Sequence, residues 1–133
     1  MRNGKQQREC AVAKILIVDD DPDIVEACHL VLEREGYEVE SASNRADGMK
    51  KIVEVKPDLL ILDVMMEEPD DGLRMAREIR KAGHTLPIIM LTSVNAAMGL
   101  NIDKDEEMVP VEEFQPKPVD PQTLIAKVKK LLP

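Results

Sequence analysis

A chain of 133 residues suits one domain with its own core and leaves little room for a second. Hydrophobic residues make up 44% and charged residues 33%, a globular balance, and no apolar run approaches the roughly 20 residues of a membrane helix. A formal net charge of −8 opposes phosphate backbones, and with Tyr37 and Phe114 as the only aromatic residues a base-stacking platform is excluded.

Residues 1–13 are polar and basic (Arg2, Lys5, Arg8) and lack the apolar centre of a signal peptide. They read as a flexible leader before a domain over 14–133, and the protein reads as cytoplasmic with no membrane partner. Cys10 and Cys28 have neither CxxC spacing nor a histidine cluster beside them, which favours two reduced thiols over a disulfide or a zinc site.

The continuous apolar run at 14–18 (KILIV) predicts a strand buried on both faces. Ile24, Ala27, Cys28, Val31 and Leu32 then recur at helical spacing. Asp21 caps that helix, Pro22 and Asp23 suit its first turn, and Gly36 stands where it would end. Residues 37–42 (YEVESA) alternate like an edge strand. Asn44 can cap a helix running to Lys56, which Pro57 terminates. A second buried strand is predicted at 58–62 (DLLIL), a helix at 73–81 stopped by Gly83, and a further strand at 86–91 (LPIIML). Residues 93–109 break the rhythm, with a short helical hint at 95–100 and a charged stretch at 103–107. A fifth strand at 111–115 and a last helix at 120–132, with Lys127, Lys129 and Lys130 near its negative end, complete the alternation. Strand and helix in turn point to an α/β sandwich around a parallel sheet.

In such a sheet, ligands bind outside the carboxyl ends of the strands. Those ends carry Asp19, Asp20 and Asp21 after the first strand, Asp63 after the third, Thr92 and Ser93 after the fourth, and Lys117-Pro118 after the fifth. Clustered carboxylates repel one another unless a cation joins them, and hard oxygen ligands at an open site suit Mg²⁺. A carboxylate there can act as a nucleophile toward phosphorus, with Lys117 neutralising charge and the Thr92 hydroxyl donating to a phosphoryl oxygen.

Together, DDD at 19–21, Asp63 after LLIL, Thr92-Ser93 after PIIML and Lys117-Pro118 resemble the bacterial response-regulator receiver family, from about Lys14 to Leu132. Each motif is weak alone; four of them in order, each at a strand end, are specific. The resemblance implies a flavodoxin-like, doubly wound (βα)5 sandwich with a parallel five-stranded sheet in the order 2-1-3-4-5. It implies Asp63 as phosphoacceptor, Thr92 and Lys117 as its helpers, and Phe114 as an aromatic switch. It also implies Mg²⁺ held by Asp19, Asp20, Asp63 and the backbone carbonyl of Met65. The donor would be a histidine kinase or phosphotransfer protein, and the output would pass to another protein, since no output domain or DNA-binding surface is read in this sequence. The chain would be a switch that catalyses only its own aspartyl phosphorylation and dephosphorylation.

Blander readings stand beside these. A lone Asp after a strand is more often a turn or cap residue, and Asp21 before Pro22 fits a helix cap better than a ligand. The eight methionines show no repeated spacing and read as packing material, and His29 and His84 have no metal-binding companion. The sequence also departs from the family. The loop after Asp63 (VMMEEPDDG) is about one residue longer than usual in the family, with Glu67 and Glu68 adding charge and Pro69 displaced. The stretch from Thr92 to Lys117 is extended, with its helix degraded, and Val119 replaces the usual aromatic. The affected face commonly serves dimerisation in the family, so a monomer or weak dimer is expected. Apolar Met65 and Val94 occupy positions that tune phosphoryl lifetime in the family and predict slow self-hydrolysis. The rivals are a phosphorylation-independent interaction module using residues 94–111, and a magnesium-dependent phosphatase. The latter lacks its DxDx(T/V) signature here, because VMM follows Asp63.

Overall fold

Five short apolar segments form parallel strands, and the helices between them close a three-layer sandwich. The structure, a computed structural model, describes residues 12–66, 70–92 and 111–132. In chain order these are β1 (Lys14–Val18), α1 (Pro22–Arg34), β2 (Glu38–Ala42), α2 (Arg45–Val55), β3 (Leu59–Asp63), α3 (Asp71–Lys81), β4 (Ile88–Thr92), β5 (Glu113–Pro116) and α4 (Pro121–Leu131). The sheet order is β2-β1-β3-β4-β5 and every pairing is parallel, as the resemblance implied.

Because side chains alternate along a strand, each central strand supplies both faces. Leu16, Val18, Leu60, Leu62 and Met90 pack with Ile52 of α2 and Met75, Ala76 and Ile79 of α3. On the other face, Ile15, Ile17, Ile61, Ile89 and Leu91 meet Cys28 and Leu32 of α1 and Leu124 and Val128 of α4. Burial pushes the Cys28 thiol up to about 11, with the Asp19 charge adding to it, so Cys28 is a packing thiol rather than a reactive one. Cys10 lies outside the described residues.

Local chemistry sets the helix ends. The side chains of Asp21, Asn44 and Asp120 accept from the backbone N–H of Asp23, Asp47 and Thr123, and so cap α1, α2 and α4. Gly36 and Gly83, at φ of 94° and 93°, turn the chain after α1 and α3. Lys56 is itself left-handed at φ 54° and ends α2, its N–H donating to the Ile52 carbonyl one residue before Pro57.

Several predicted boundaries move by one or two residues. β3 starts at Leu59 because Asp58 instead seals the entry to β1: its N–H donates to the Lys14 carbonyl at 2.7 Å, and its carboxylate accepts from the Lys14 N–H at 2.8 Å. β4 starts at Ile88 because Pro87 has no N–H, although its carbonyl accepts from Leu60. β5 starts at Glu113, after Glu112 Oε1 has taken the Ile88 N–H at 2.8 Å and the Arg80 guanidinium at 2.9 Å. α3 begins two residues early, at Asp71. The α4 lysines have specific partners: Lys127 donates to the Phe114 carbonyl, Lys130 to Glu113, and Lys129 pairs with Glu35. They tie α4 to β5 and α1, a more specific use than complementing a helix dipole. The helical hint at 95–100 lies outside the described residues.

Candidate functional site

The carboxyl ends of β1, β3, β4 and β5 lie side by side, so residues far apart in sequence share one crevice. Asp19, directly after β1, is 1% exposed, and its N–H donates to the Ala42 carbonyl. Asp63, the last residue of β3, is 3% exposed and sits opposite Leu91 in the ladder. Thr92 ends β4, equally buried, and its carbonyl accepts from the Lys117 N–H at 2.6 Å. That bond fixes where the lysine leaves the sheet.

The side chains converge. Lys117 Nζ lies 3.1 Å from Asp19 Oδ2 and 3.2 Å from Asp63 Oδ1. The Met65 N–H donates at 3.4 Å to the same Asp63 oxygen. Carboxylate oxygens of Asp19, Asp20 and Asp63 all lie within 4.8 Å of one another, with Asp20 exposed at the mouth. Asp21 stays out of the cluster and caps α1. Phe114 is half-buried against the α2/α3 core, and Met65 is 40% exposed. Ser93, Val94, Glu67 and Glu68 lie outside the described residues.

Among the described residues, three carboxylates face one ammonium. Burial and the neighbouring Asp19 charge push the Asp63 carboxyl up to about 7, and Lys117 only partly opposes them. Burial alone would lower the Lys117 value, but the two carboxylates outweigh it and hold the ammonium above its ordinary range. Asp19 Oδ2 is fully buried and, despite the nearby ammonium, has no aligned hydrogen bond. Oxygen donors only, surplus negative charge and an orphaned buried oxygen fit a hard divalent cation such as Mg²⁺.

This charge imbalance has a measurable consequence in chelator-treated protein. The Asp63 pKa is raised on folding, so between pH 4 and 7 the native state binds more protons than the unfolded chain. The associated stability is therefore complete below about pH 4 and is lost as pH rises through about 7. A rise of this size carries about 4 kcal/mol at the dry limit, and roughly 2 kcal/mol remains after screening at the open mouth. Asp63→Asn is expected to flatten the urea-melt profile across that window and to exceed wild type in stability at pH 8.

Two supporting features carry no sequence signal. A Cβ on Gly72 would lie 2.1 Å from the Asp63 carbonyl oxygen and 2.7 Å from Val64 Cα, so only glycine lets α3 approach this closely. The Gly72 N–H donates to the Val64 carbonyl at 2.9 Å, closing the turn after Asp63. Arg45, at the start of α2, reaches Asp71 and Glu78 of α3. Nothing in their local spacing marks either contact.

Known proteins match this arrangement. Residues 15–129 fit the family model described as response regulator receiver domain. Over 123 residues the chain is 37% identical to the alkaline phosphatase synthesis transcriptional regulatory protein PhoP of Bacillus subtilis, covering 90% of this chain and 48% of that protein. The chain thus spans about half the length of the curated relatives it matches. Among solved structures, the Vibrio cholerae chemotaxis protein CheY4 superposes with a TM-score of 0.80 at 28% identity, covering 92% of this chain and all of that one. A response regulator receiver domain protein from Clostridium thermocellum gives 0.78 at 29%, covering 90% and 94%.

Proposed function

We propose, from the premise that this chain belongs to the response regulator receiver domain family, that it relays a signal by carrying a phosphoryl group on Asp63. The observation behind this reading is the pocket itself: a buried carboxylate at a strand end, 3.2 Å from a lysine ammonium, beside two further acids.

One Asp63 oxygen attacks phosphorus. The bond from phosphorus to the donor's nitrogen or oxygen breaks, and its electron pair leaves with the donor. The product is an aspartyl phosphate. A magnesium ion held by the carboxylates of Asp19, Asp20 and Asp63 and the Met65 carbonyl would supply positive charge to bring an anionic donor into an acidic pocket. Lys117 takes up negative charge developing on the phosphoryl oxygens, and Thr92 donates a hydrogen bond to one of them. Movement of Thr92 toward that group lets Phe114, facing the α2/α3 core, turn further inward. The chain acts on its own carboxylate and is not a metabolic enzyme.

The donor is a histidine kinase or a phosphotransfer protein, and the setting is the bacterial cytoplasm. None of the described helices is long and apolar enough to cross a membrane. A net charge of −8 disfavours DNA contact by this chain itself, and the proposed output is contact with a protein partner, from a monomer or weak dimer. The relatives' DNA-regulatory roles belong to chains about twice as long.

The test is incubation with acetyl phosphate, with and without Mg²⁺, comparing wild type with Asp63→Asn. Mg²⁺-dependent labelling confined to wild type supports the reading. Unlabelled wild type that still binds Mg²⁺ would favour the interaction module. The phosphoryl group is also expected to be long-lived, because the apolar side chains of Met65 and Val94 cannot orient an attacking water. Following release of phosphate from purified labelled protein checks this; a half-life of seconds would contradict it.

A further inference from the structure

Arg45 is the first residue of α2, a place that disfavours a cation because the helix N-terminus already carries partial positive charge. A residue that works against its own helix points to a use elsewhere. Here the side chain leaves α2 and crosses to α3. Its Nη1 donates to Glu78 Oε1 at 2.7 Å, and its Nε lies 3.7 Å from Asp71 Oδ1.

Asp71 is the first residue of α3 and only 4% exposed, so its carboxylate depends on nearby positive charge far more than a surface acid does. The next residue is Gly72, whose Cα has no spare room against the Asp63 carbonyl and whose N–H closes the turn onto Val64. Gly48 lets α2 settle onto α3 and β1, since a Cβ there would meet the Met75 side chain at 2.8 Å and the Val18 side chain at 3.0 Å. The first turns of α2 and α3 are thus drawn together directly beside the residue that carries the chemistry.

We propose that Arg45 is a positioning residue for Asp63: by holding Asp71 from α2, with Glu78 as its anchor, it seats the first turn of α3 against the Asp63–Val64 backbone. This rests on the reading of Asp63 as phosphoacceptor only for its effect on rate. The seating itself is independent of phosphorylation. The Gly72 N–H bond to the Val64 carbonyl, at 2.9 Å, is the contact that a lifted α3 would lengthen.

The test compares Arg45→Ala and Arg45→Lys with wild type, and takes Lys51→Ala, which removes another α2 ion pair, to Glu40, as control. Amide hydrogen exchange at Gly72 is expected to quicken about tenfold in Arg45→Ala and to recover partly in Arg45→Lys. Labelling by acetyl phosphate at saturating Mg²⁺ and donor, measured where each variant is fully folded, is expected to fall about 3–10-fold. Lys51→Ala is expected to change neither. Unchanged Gly72 exchange in Arg45→Ala would overturn the proposal, as would an equal effect from Lys51→Ala. If wild type takes no label, the reading of Asp63 fails by itself, and Gly72 exchange still decides whether Arg45 seats α3.

Discussion

Lys117→Ala is expected to lower labelling by acetyl phosphate at least about 100-fold while the protein remains folded, in line with losses on removing one preorganised charge donor. Among the described residues Lys117 is the one ammonium beside both Asp19 and Asp63, at 3.1 and 3.2 Å. Without it, two buried carboxylates face each other across the pocket, and their mutual repulsion favours keeping a proton on one of them at neutral pH. A protonated Asp63 is a poor nucleophile, and the developing phosphoryl charge has lost its nearest protein cation. Mg²⁺ is expected to recover fold stability more fully than labelling, because a metal can offset the carboxylate charge without reaching the position of the Lys117 ammonium. Labelling rates across a Mg²⁺ series, with a urea melt at each concentration, separate the two effects. Near-wild-type labelling in Lys117→Ala would remove the lysine from the mechanism.

Gly72→Ala is the second large effect. The added methyl would lie 2.1 Å from the Asp63 carbonyl oxygen, 2.7 Å from Val64 Cα and 2.9 Å from the Asp63 carbonyl carbon. All three are backbone atoms, so no side chain can swing aside to make room. α3 must lift away, lengthening the Gly72 N–H bond to Val64 and exposing the buried Asp71. A cost of about 3 kcal/mol is expected, the upper end for overpacking, because the clash is with backbone. Labelling should fall with it, since Asp63 belongs to the displaced backbone. A urea titration of Gly72→Ala with an unchanged midpoint would show that α3 is looser than described.

Much of this fold was legible because its physics is local. Apolar runs such as KILIV and LLIL can be buried on both faces only in a covered parallel sheet, and Asp21, Asn44 and Asp120 stood where their helices needed caps. The crevice followed from one topological rule applied to four strand ends. What escaped was set by partners distant in sequence. Asp58 reads as strand until Lys14 claims both its N–H and its carboxylate. Glu112 holds the start of β4 only because Arg80 arrives from α3. Gly72 and Arg45 have no local pattern, since the close approach of α3 to Asp63 is a property of the assembled sandwich.

The central claim is tested most directly by mapping the modified residue in wild-type protein. An aspartyl phosphate is an acyl phosphate, and borohydride reduces it to the alcohol, leaving homoserine where aspartate stood. Protein treated with acetyl phosphate and Mg²⁺, then reduced, digested and sequenced by mass spectrometry, is expected to carry homoserine at position 63 and nowhere else. Omitting Mg²⁺ is expected to abolish it. Homoserine at Asp19 or Asp20 with Asp63 intact, or no reducible acyl phosphate at all, would contradict Asp63 as the phosphoacceptor.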